Sequence, residues 1–454
     1  MIKDIVILLP GIMGSVLADA QGNEIWSLSG GALWKAVTSF GESITGLELP
    51  PSGDPEGISA PRLMPDVSII PGFFKFDGYT RIENELITRL DLDRGHNYFP
   101  FPYDWRLDNR VNAKILETFA MDKLLKWRRD SGASDAKLIL IGHSMGGLVS
   151  RYFLDVLGGW RDTRYLFTLG TPHRGSLNAL DFLVHGMKKG IGPLGIDLSP
   201  MLRSFPSVYQ LLPTYKCIDA GIGDLRRISD TINRLPNLDG ARVLRAMEFH
   251  RDIESNQKEN AALDGYPEKG YRQIPFVGIE QSTQQSATVR GTEVEFLKSC
   301  GGKDLGGDGT VPRVSATPVD LEGSDREIYS GEMHGSLQNA EGSLANIHGI
   351  LTRGDIDWSK YRKKRLTGIR LEIDDVVLPR DPVTIRASLG GDGGVVTVRM
   401  MRTDDGLEQI ERLSRGADDG WQEGKFDLTP GIWYVRAEAK NHEPVTDIVV
   451  VASV

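Results

Sequence analysis

Apolar and polar positions fall into two regimes along this chain. Up to about residue 353, apolar residues come in short unbroken runs. Residues 4–9 (DIVILL), 137–142 (KLILIG), 164–170 (RYLFTLG), 274–281 (IPFVGIEQ) and 327–331 (EIYSG) are such runs. A short unbroken run bounded by turn residues predicts a strand covered on both faces. Between the runs lie helical patterns. Residues 112–128 (NAKILETFAMDKLLKWR) repeat their apolar positions every three or four residues. Strands alternating with helices predict an α/β fold with a mostly parallel sheet. Residues 176–270 hold helical and loop patterns without a buried-strand run, which predicts a cap inserted over the sheet. Residues 22–75 are irregular and rich in Gly, Pro and Ser, and predict a second lid segment.

After residue 353 the period changes. Residues 354–366 are charged and predict a solvated linker between a domain at 1–353 and one at 367–454. Within 367–454 the apolar residues alternate: Ile369, Leu371, Ile373; Val383, Ile385, Ala387, Leu389; Trp433, Val435, Ala437; Ile448, Val450. Turn signals such as GGDGG and TPG separate the runs. Period two with regular turns predicts a small β-sandwich that buries its own apolar face. An accessory role follows, such as docking a protein partner, and a truncation after Arg365 is expected to keep hydrolysing a soluble ester. His442, in a polar turn, is expected to face solvent.

The run at 137–142 stops at a glycine, and a serine follows two residues later. Gly142-His143-Ser144-Met145-Gly146 matches G-x-S-x-G and leads into the helical pattern Leu148, Val149, Tyr152, Phe153. A buried strand, a sharp turn and a helix in that order predict a nucleophile elbow. Strand and helix nearly touch there, so the residues two before and two after the serine must be small. The helix aims its first N–H groups at the serine, where negative charge would develop.

Such a serine needs a base and a carboxylate partner for that base. Elbow hydrolases carry them in the order Ser, Asp or Glu, His. Asp308 lies in the glycine-rich loop GGDGTVP after the run at 274–281. His334 lies just after the run at 327–331. Both fall at the C-terminal ends of strands, where open α/β sheets bind ligands. Asp304 is a rival acid, but lacks the adjoining Gly-Thr-Val-Pro. The other downstream histidines are His173, His185, His250, His348 and His442. His348 sits deep in a helical pattern, so His334 is the expected base. Met145 supplies one oxyanion N–H by following the nucleophile. Ile12, after Pro10-Gly11 in the loop closing the first strand, is the candidate for the other. His143 and His173 read as loop histidines bonded to backbone. Asp104, Trp105 and Arg106 read as a buttress of the site.

These pieces together resemble the lecithin:cholesterol acyltransferase family of α/β hydrolases. The matching segments are LLPGIMGS (8–15), PYDWR (102–106), GHSMGG (142–147), LGTPHRGS (169–176), FPSVYQLLP (205–213), DGTVP (308–312) and a histidine followed by a terminal helix (334–352). They occur in the family's order. The resemblance implies an α/β-hydrolase fold and an acyl-ester enzyme acting on lipids. It implies Ser144 as nucleophile, Asp308 as acid, His334 as base, and Ile12 and Met145 as oxyanion donors. Secreted relatives hold a lid near the N-terminus with a disulfide. The corresponding region here, 26–47, has no cysteine but carries Trp26, Leu33, Trp34 and Phe40, which suit a flap. The resemblance does not extend to residues 367–454.

Composition narrows the setting. The chain has 454 residues, 40% hydrophobic and 25% charged, and a formal net charge of -9. That balance argues against nucleic acid as a partner. Cys217 and Cys300 make no disulfide framework and no metal-ligand spacing; neither a metal nor a cofactor is expected. At the N-terminus, Asp4 cancels Lys3 and Pro10-Gly11 interrupts the apolar stretch, which argues against a secretory signal. A cytoplasmic location with transient contact at a membrane surface is the expectation, with a lipid or acyl ester as substrate. Two functional classes follow: a serine acyl-ester hydrolase or acyltransferase, or a catalytically weak recognition or scaffold protein that binds a partner through its cap and sandwich.

Overall fold

The computed structural model describes residues 2–27, 47–50, 57–65, 67–70, 74–189, 196–221, 223–322, 324, 326–353, 367–378, 380–390, 393–416 and 420–452. The unbroken apolar runs form the central sheet. Its strands are β1 (Ile5–Leu9), β2 (Tyr98–Pro100), β3 (Leu138–His143), β4 (Thr163–Leu169), β5 (Arg272–Gly278) and β6 (Ile328–Ser330). They lie in the order β6-β5-β4-β3-β1-β2, and all neighbours run parallel. Every residue of β1 and β3 is buried, as strands covered on both faces require. All strands of a parallel sheet end on one side, so the loops after β1, β3, β4, β5 and β6 converge there.

The helices cover that sheet. They are α1 (Thr80–Leu90), α2 (Asn109–Ser131), α3 (Met145–Arg151), α4 (Leu177–Val184), α5 (Gly240–Ala261) and α6 (Glu341–Arg353). In α2 the Asp108 side chain accepts from the Arg110 N–H, Gly132 ends the helix in the left-handed region, and Ala113, Leu116, Ala120 and Leu124 face the core. A single π turn, Tyr152–Val156, continues α3. The insertion at 176–270 carries α4 and α5, as a cap should. It also joins a small sheet in which Ile218–Asp219 pairs with Leu225–Arg226 and with the hairpin Ser286–Arg290/Glu293–Leu297. The architecture is that of an α/β hydrolase.

Residues 367–452 form two facing sheets. One contains Arg370–Ile373, Val383–Ser388, Trp421–Phe426 and Ser414–Arg415. The other contains Val376–Val377, Val445–Val451, Gly431–Glu438, Thr397–Arg402 and Glu408–Arg412. Ile369, Leu371, Ile385, Trp433, Val435 and Ala437 fill the space between them. The alternation has a second meaning, however. Ile432, Ile448 and Val450 belong to the core of the hydrolase domain, not to that of the sandwich. The run at Val445–Val451 is apolar on both faces because one face packs on each core. The expectation that Ile448 and Val450 serve the sandwich's own core is therefore corrected. His442 is half-buried rather than exposed, in a short parallel pairing with Thr367–Gly368. The linker at 354–366 lies outside the described residues, as do Leu33, Trp34 and Phe40 of the expected flap. Trp26 is core: it is 3% exposed and packs edge-on against Trp105, with ring centroids 5.3 Å apart.

Candidate active site

The turn after β3 carries Ser144 at φ 51° and ψ -123°. A non-glycine residue in that region is strained, and the surroundings must over-determine it. They do: the Ser144 N–H donates to the Leu169 carbonyl at 2.8 Å. Strand and helix touch at the flanking glycines. A methyl on Gly142 would sit 2.6 Å from the Gly147 nitrogen, and one on Gly146 would sit 2.5 Å from the Pro10 carbonyl oxygen. This is the physical content of G-x-S-x-G.

The loops after β5 and β6 deliver the two partners. His334 Nε2 lies 3.0 Å from Ser144 Oγ, and His334 Nδ1 lies 2.8 Å from Asp308 Oδ2. A carboxylate only accepts, so Nδ1 carries the proton and Nε2 is left to accept from the serine hydroxyl. Asp308 is itself fixed: its Oδ1 accepts the N–H groups of Thr310 at 3.0 Å and Val311 at 2.6 Å. The His334 N–H donates to the Asp308 carbonyl at 2.8 Å. Asp304 is elsewhere. It accepts from Gln285 and pairs with Arg370 of the sandwich at 3.0 Å. His348 is half-buried on α6, and His173 is buried against Thr168 and Gln273.

Beside Ser144 lie the two expected oxyanion donors. Met145 opens α3, so its N–H has no partner within the helix. Ile12 lines the same cleft, in a turn closed by the Gly14 N–H on the Gly11 carbonyl at 3.1 Å, with Met13 at φ 62°. The segment 102–106 props this turn. Tyr103 donates to the Pro10 carbonyl at 2.8 Å, and Trp105 Nε1 to the Ser15 carbonyl at 3.0 Å. Arg106 and Asp104 form a buried bidentate pair at 2.9 and 2.7 Å.

The cleft over Ser144 has a volume of about 330 Å³. One wall comes from the cap, with Ala179, Phe182, Val208 and Leu211 supplying apolar surface. The sandwich lines the cleft too, through Asp375, Asp447 and Ile448. Lys75 joins them, 2.7 Å from Asp447 and 3.1 Å from Asp375. Burial alone would lower the lysine's pKa, but Asp447 and Asp375 outweigh it and hold the group above its ordinary value. Lys75 and Asp447 are 372 positions apart. No sequence pattern links them, and the sandwich's part in the cleft was not expected. Among the described residues no cluster of His, Cys, Asp and Glu is placed to hold a metal, and no helix is long and apolar enough to cross a membrane.

Comparison with known proteins adds a family. Residues 84–263 match the lecithin:cholesterol acyltransferase family. That stretch includes PYDWR and the elbow; Ile12, Asp308 and His334 lie beyond it. An uncharacterized protein of Saccharomyces cerevisiae is 30% identical over 151 residues, which is 33% of this chain and 20% of that protein. Phospholipase A(1) LCAT3 of Arabidopsis thaliana is 26% identical over 250 residues, which is 47% of this chain and 53% of that protein. The chain thus spans about half the length of the plant relative and a fifth of the yeast one. Among solved structures, the mature lipase BlEst2 of Bacillus licheniformis is 13% identical with a TM-score of 0.33, covering 76% of this chain and 90% of that one.

Proposed function

We propose that this protein is a serine hydrolase or acyltransferase that acts on acyl esters of lipids. The observation that carries the reading is the unbroken relay from Asp308 through His334 to Ser144 in a mostly apolar cleft. In the proposed mechanism Ser144 Oγ attacks the ester carbonyl and His334 Nε2 takes its proton. Asp308 holds the imidazole in the required tautomer and stabilises its charged form. The N–H groups of Ile12 and Met145 receive the oxyanion. His334 then returns the proton to the leaving alcohol. Water or a lipid alcohol attacks the acyl-enzyme and releases the acid or a new ester. The chemistry asks for no cofactor. The match to the lecithin:cholesterol acyltransferase family over residues 84–263 and the phospholipase among the relatives support a lipid substrate. The recognition or scaffold reading gives no reason for a strained serine aligned with a base.

The setting we propose is the cytoplasm, with transient contact at a membrane surface. The two free cysteines, Cys217 and Cys300, support a reducing compartment.

A fluorophosphonate probe tests the reading. Wild-type protein is expected to label and Ser144→Ala is not. Ser144→Ala, Asp308→Asn and His334→Ala should each lower ester turnover by about three orders of magnitude, and the Ser144→Ala/His334→Ala pair should be little worse than either alone. Additive losses would reject the relay. Mixed membrane lipids incubated with wild type or Ser144→Ala would name the acyl donor and acceptor.

A further inference from the structure

Tyr79 was not among the residues the sequence singled out, yet it packs against His143 next to the site. It is buried, and its hydroxyl meets two polar groups from different loops. The Gly11 N–H donates to it at 2.7 Å, and it lies 2.8 Å from His143 Nδ1. On the far side of the imidazole, His143 Nε2 lies 3.1 Å from the His334 carbonyl oxygen. The direction of each bond is fixed. A carbonyl only accepts, so Nε2 carries the proton of His143. Burial pushes the His143 pKa down to about 3, with His334 nearby adding to the shift, so the ring stays neutral and Nδ1 accepts. The Tyr79 O–H must then point at His143, and its oxygen lone pair must receive Gly11. One chain of hydrogen bonds runs from the loop of the oxyanion donor to the backbone of the base.

We infer that Tyr79 is a positioning residue for the reaction, a strut that sets the Ile12 N–H and the His334 backbone relative to each other. The inference rests on the reading of Ser144 and Ile12 given under Proposed function. The Gly11 N–H belongs to the Pro10–Gly11 peptide, so tethering it fixes the plane from which the next peptide, the one that carries the Ile12 N–H, continues. The space is closed on the other side too: a methyl on Gly14 would lie 2.9 Å from the Tyr79 hydroxyl oxygen. The turn therefore has no room to relax toward the tyrosine, and the hydroxyl seats it together with Tyr103 on the Pro10 carbonyl.

Tyr79→Phe removes that hydroxyl and keeps the ring against Phe76. Turnover of a soluble ester should fall about ten- to a hundredfold at nearly unchanged KM, less than the loss of an oxyanion donor outright. Affinity for a trifluoromethyl ketone, which forms a tetrahedral adduct on the serine, should fall by the same factor. Exchange of the Gly11 amide with solvent should accelerate, and the His143 Nδ1 nitrogen resonance should shift. Unchanged turnover and ketone affinity, or a Gly11 amide as protected as in wild type, would overturn the inference. A purely structural tyrosine would lower the melting temperature and leave kcat and ketone affinity alone. If wild-type protein proves inert to the fluorophosphonate, the proposed function fails, while amide exchange still reports on the strut. Should Tyr79→Phe not fold, His143→Gln breaks the same chain at its next link and is read by turnover and ketone affinity, which should fall in the same sense; unchanged values would overturn the inference.

Discussion

At the scale of single residues, one constraint on the site is a missing methyl group. Gly170 follows β4 with φ 59°, and a Cβ there would lie 2.9 Å from both Asp308 Oδ2 and His334 Nδ1. It would wedge between Asp308 and His334. Gly170→Ala should therefore lower turnover by about a hundredfold, the order expected when a reacting group is displaced by about an ångström. Circular dichroism should stay close to wild type, and unchanged kcat would show that the acid–base contact tolerates the intrusion. Residues of this kind differ in how openly the sequence declares them. Ser144 is legible because its neighbours are small for a steric reason that leaves a spaced motif. Asp308 and His334 are legible through chain order and through their places at strand ends. Tyr79 and His143 meet across 64 positions. Nothing local separates that tyrosine from the other aromatics in 71–79, so its role appears only once the loops are folded together.

At the scale of elements, the segment before α2 shows how a buried charge can serve a loop. Arg106 is 1% exposed, pairs with Asp104, and also donates to the Leu47 carbonyl at 3.1 Å. Removing one partner leaves the other charge buried and unpaired. Arg106→Met should destabilise the protein by roughly 3–5 kcal/mol, and the Asp104→Leu/Arg106→Met pair should recover part of that loss. Urea unfolding measures both, and a double variant no better than the single one would contradict the argument. α6 makes the opposite case. His348 lies on it away from Ser144, so His348→Gln should keep wild-type turnover; abolished activity would move the base assignment. The long buried runs declared their strands because burial on both faces demands unbroken apolar sequence. β2 did not, being three residues long and ending at Pro100. The hairpin of Ser286–Arg290 and Glu293–Leu297 also passed unread, because polar and apolar residues interleave along it without an unbroken apolar run.

At the scale of the whole molecule, the sandwich is joined to the loop that carries His334 and to the one after β5. The Thr446 N–H donates to Glu332 Oε2 at 2.8 Å, the Gly331 N–H donates to Glu443 at 3.2 Å, and Gln281 donates to the Ile369 carbonyl at 2.8 Å. The period-two pattern revealed a sandwich but not the partner of its second face, because alternation marks which residues share a side and not what covers them. Truncation after Arg365 would bare the hydrolase surface now covered by Ile432, Ile448 and Val450. This reverses the expectation from sequence: because those residues belong to the hydrolase core, truncation should abolish turnover of p-nitrophenyl butyrate, and a folded and active fragment would show that the sandwich is dispensable. The same junction sets a pH dependence. Burial raises Glu332 from 4.5 to about 8 and Asp77 from 3.8 to about 7. Between its unfolded and folded pKa values, Glu332 holds a proton in the folded protein that the unfolded chain has released. The folded state binds more protons there, so stability must fall as pH rises. The contribution of Glu332 is complete below about 4.5 and lost by about 8. His143, lowered to about 3, acts in the other direction, destabilising the fold as pH drops below 6.5. The two are separated by comparing variants. Glu332→Gln keeps an oxygen for the Thr446 N–H but cannot ionise. Its melting temperature should track wild type near pH 4.5 and exceed it increasingly toward pH 8. Parallel curves across that range would mean that Glu332 is not protonated in the junction.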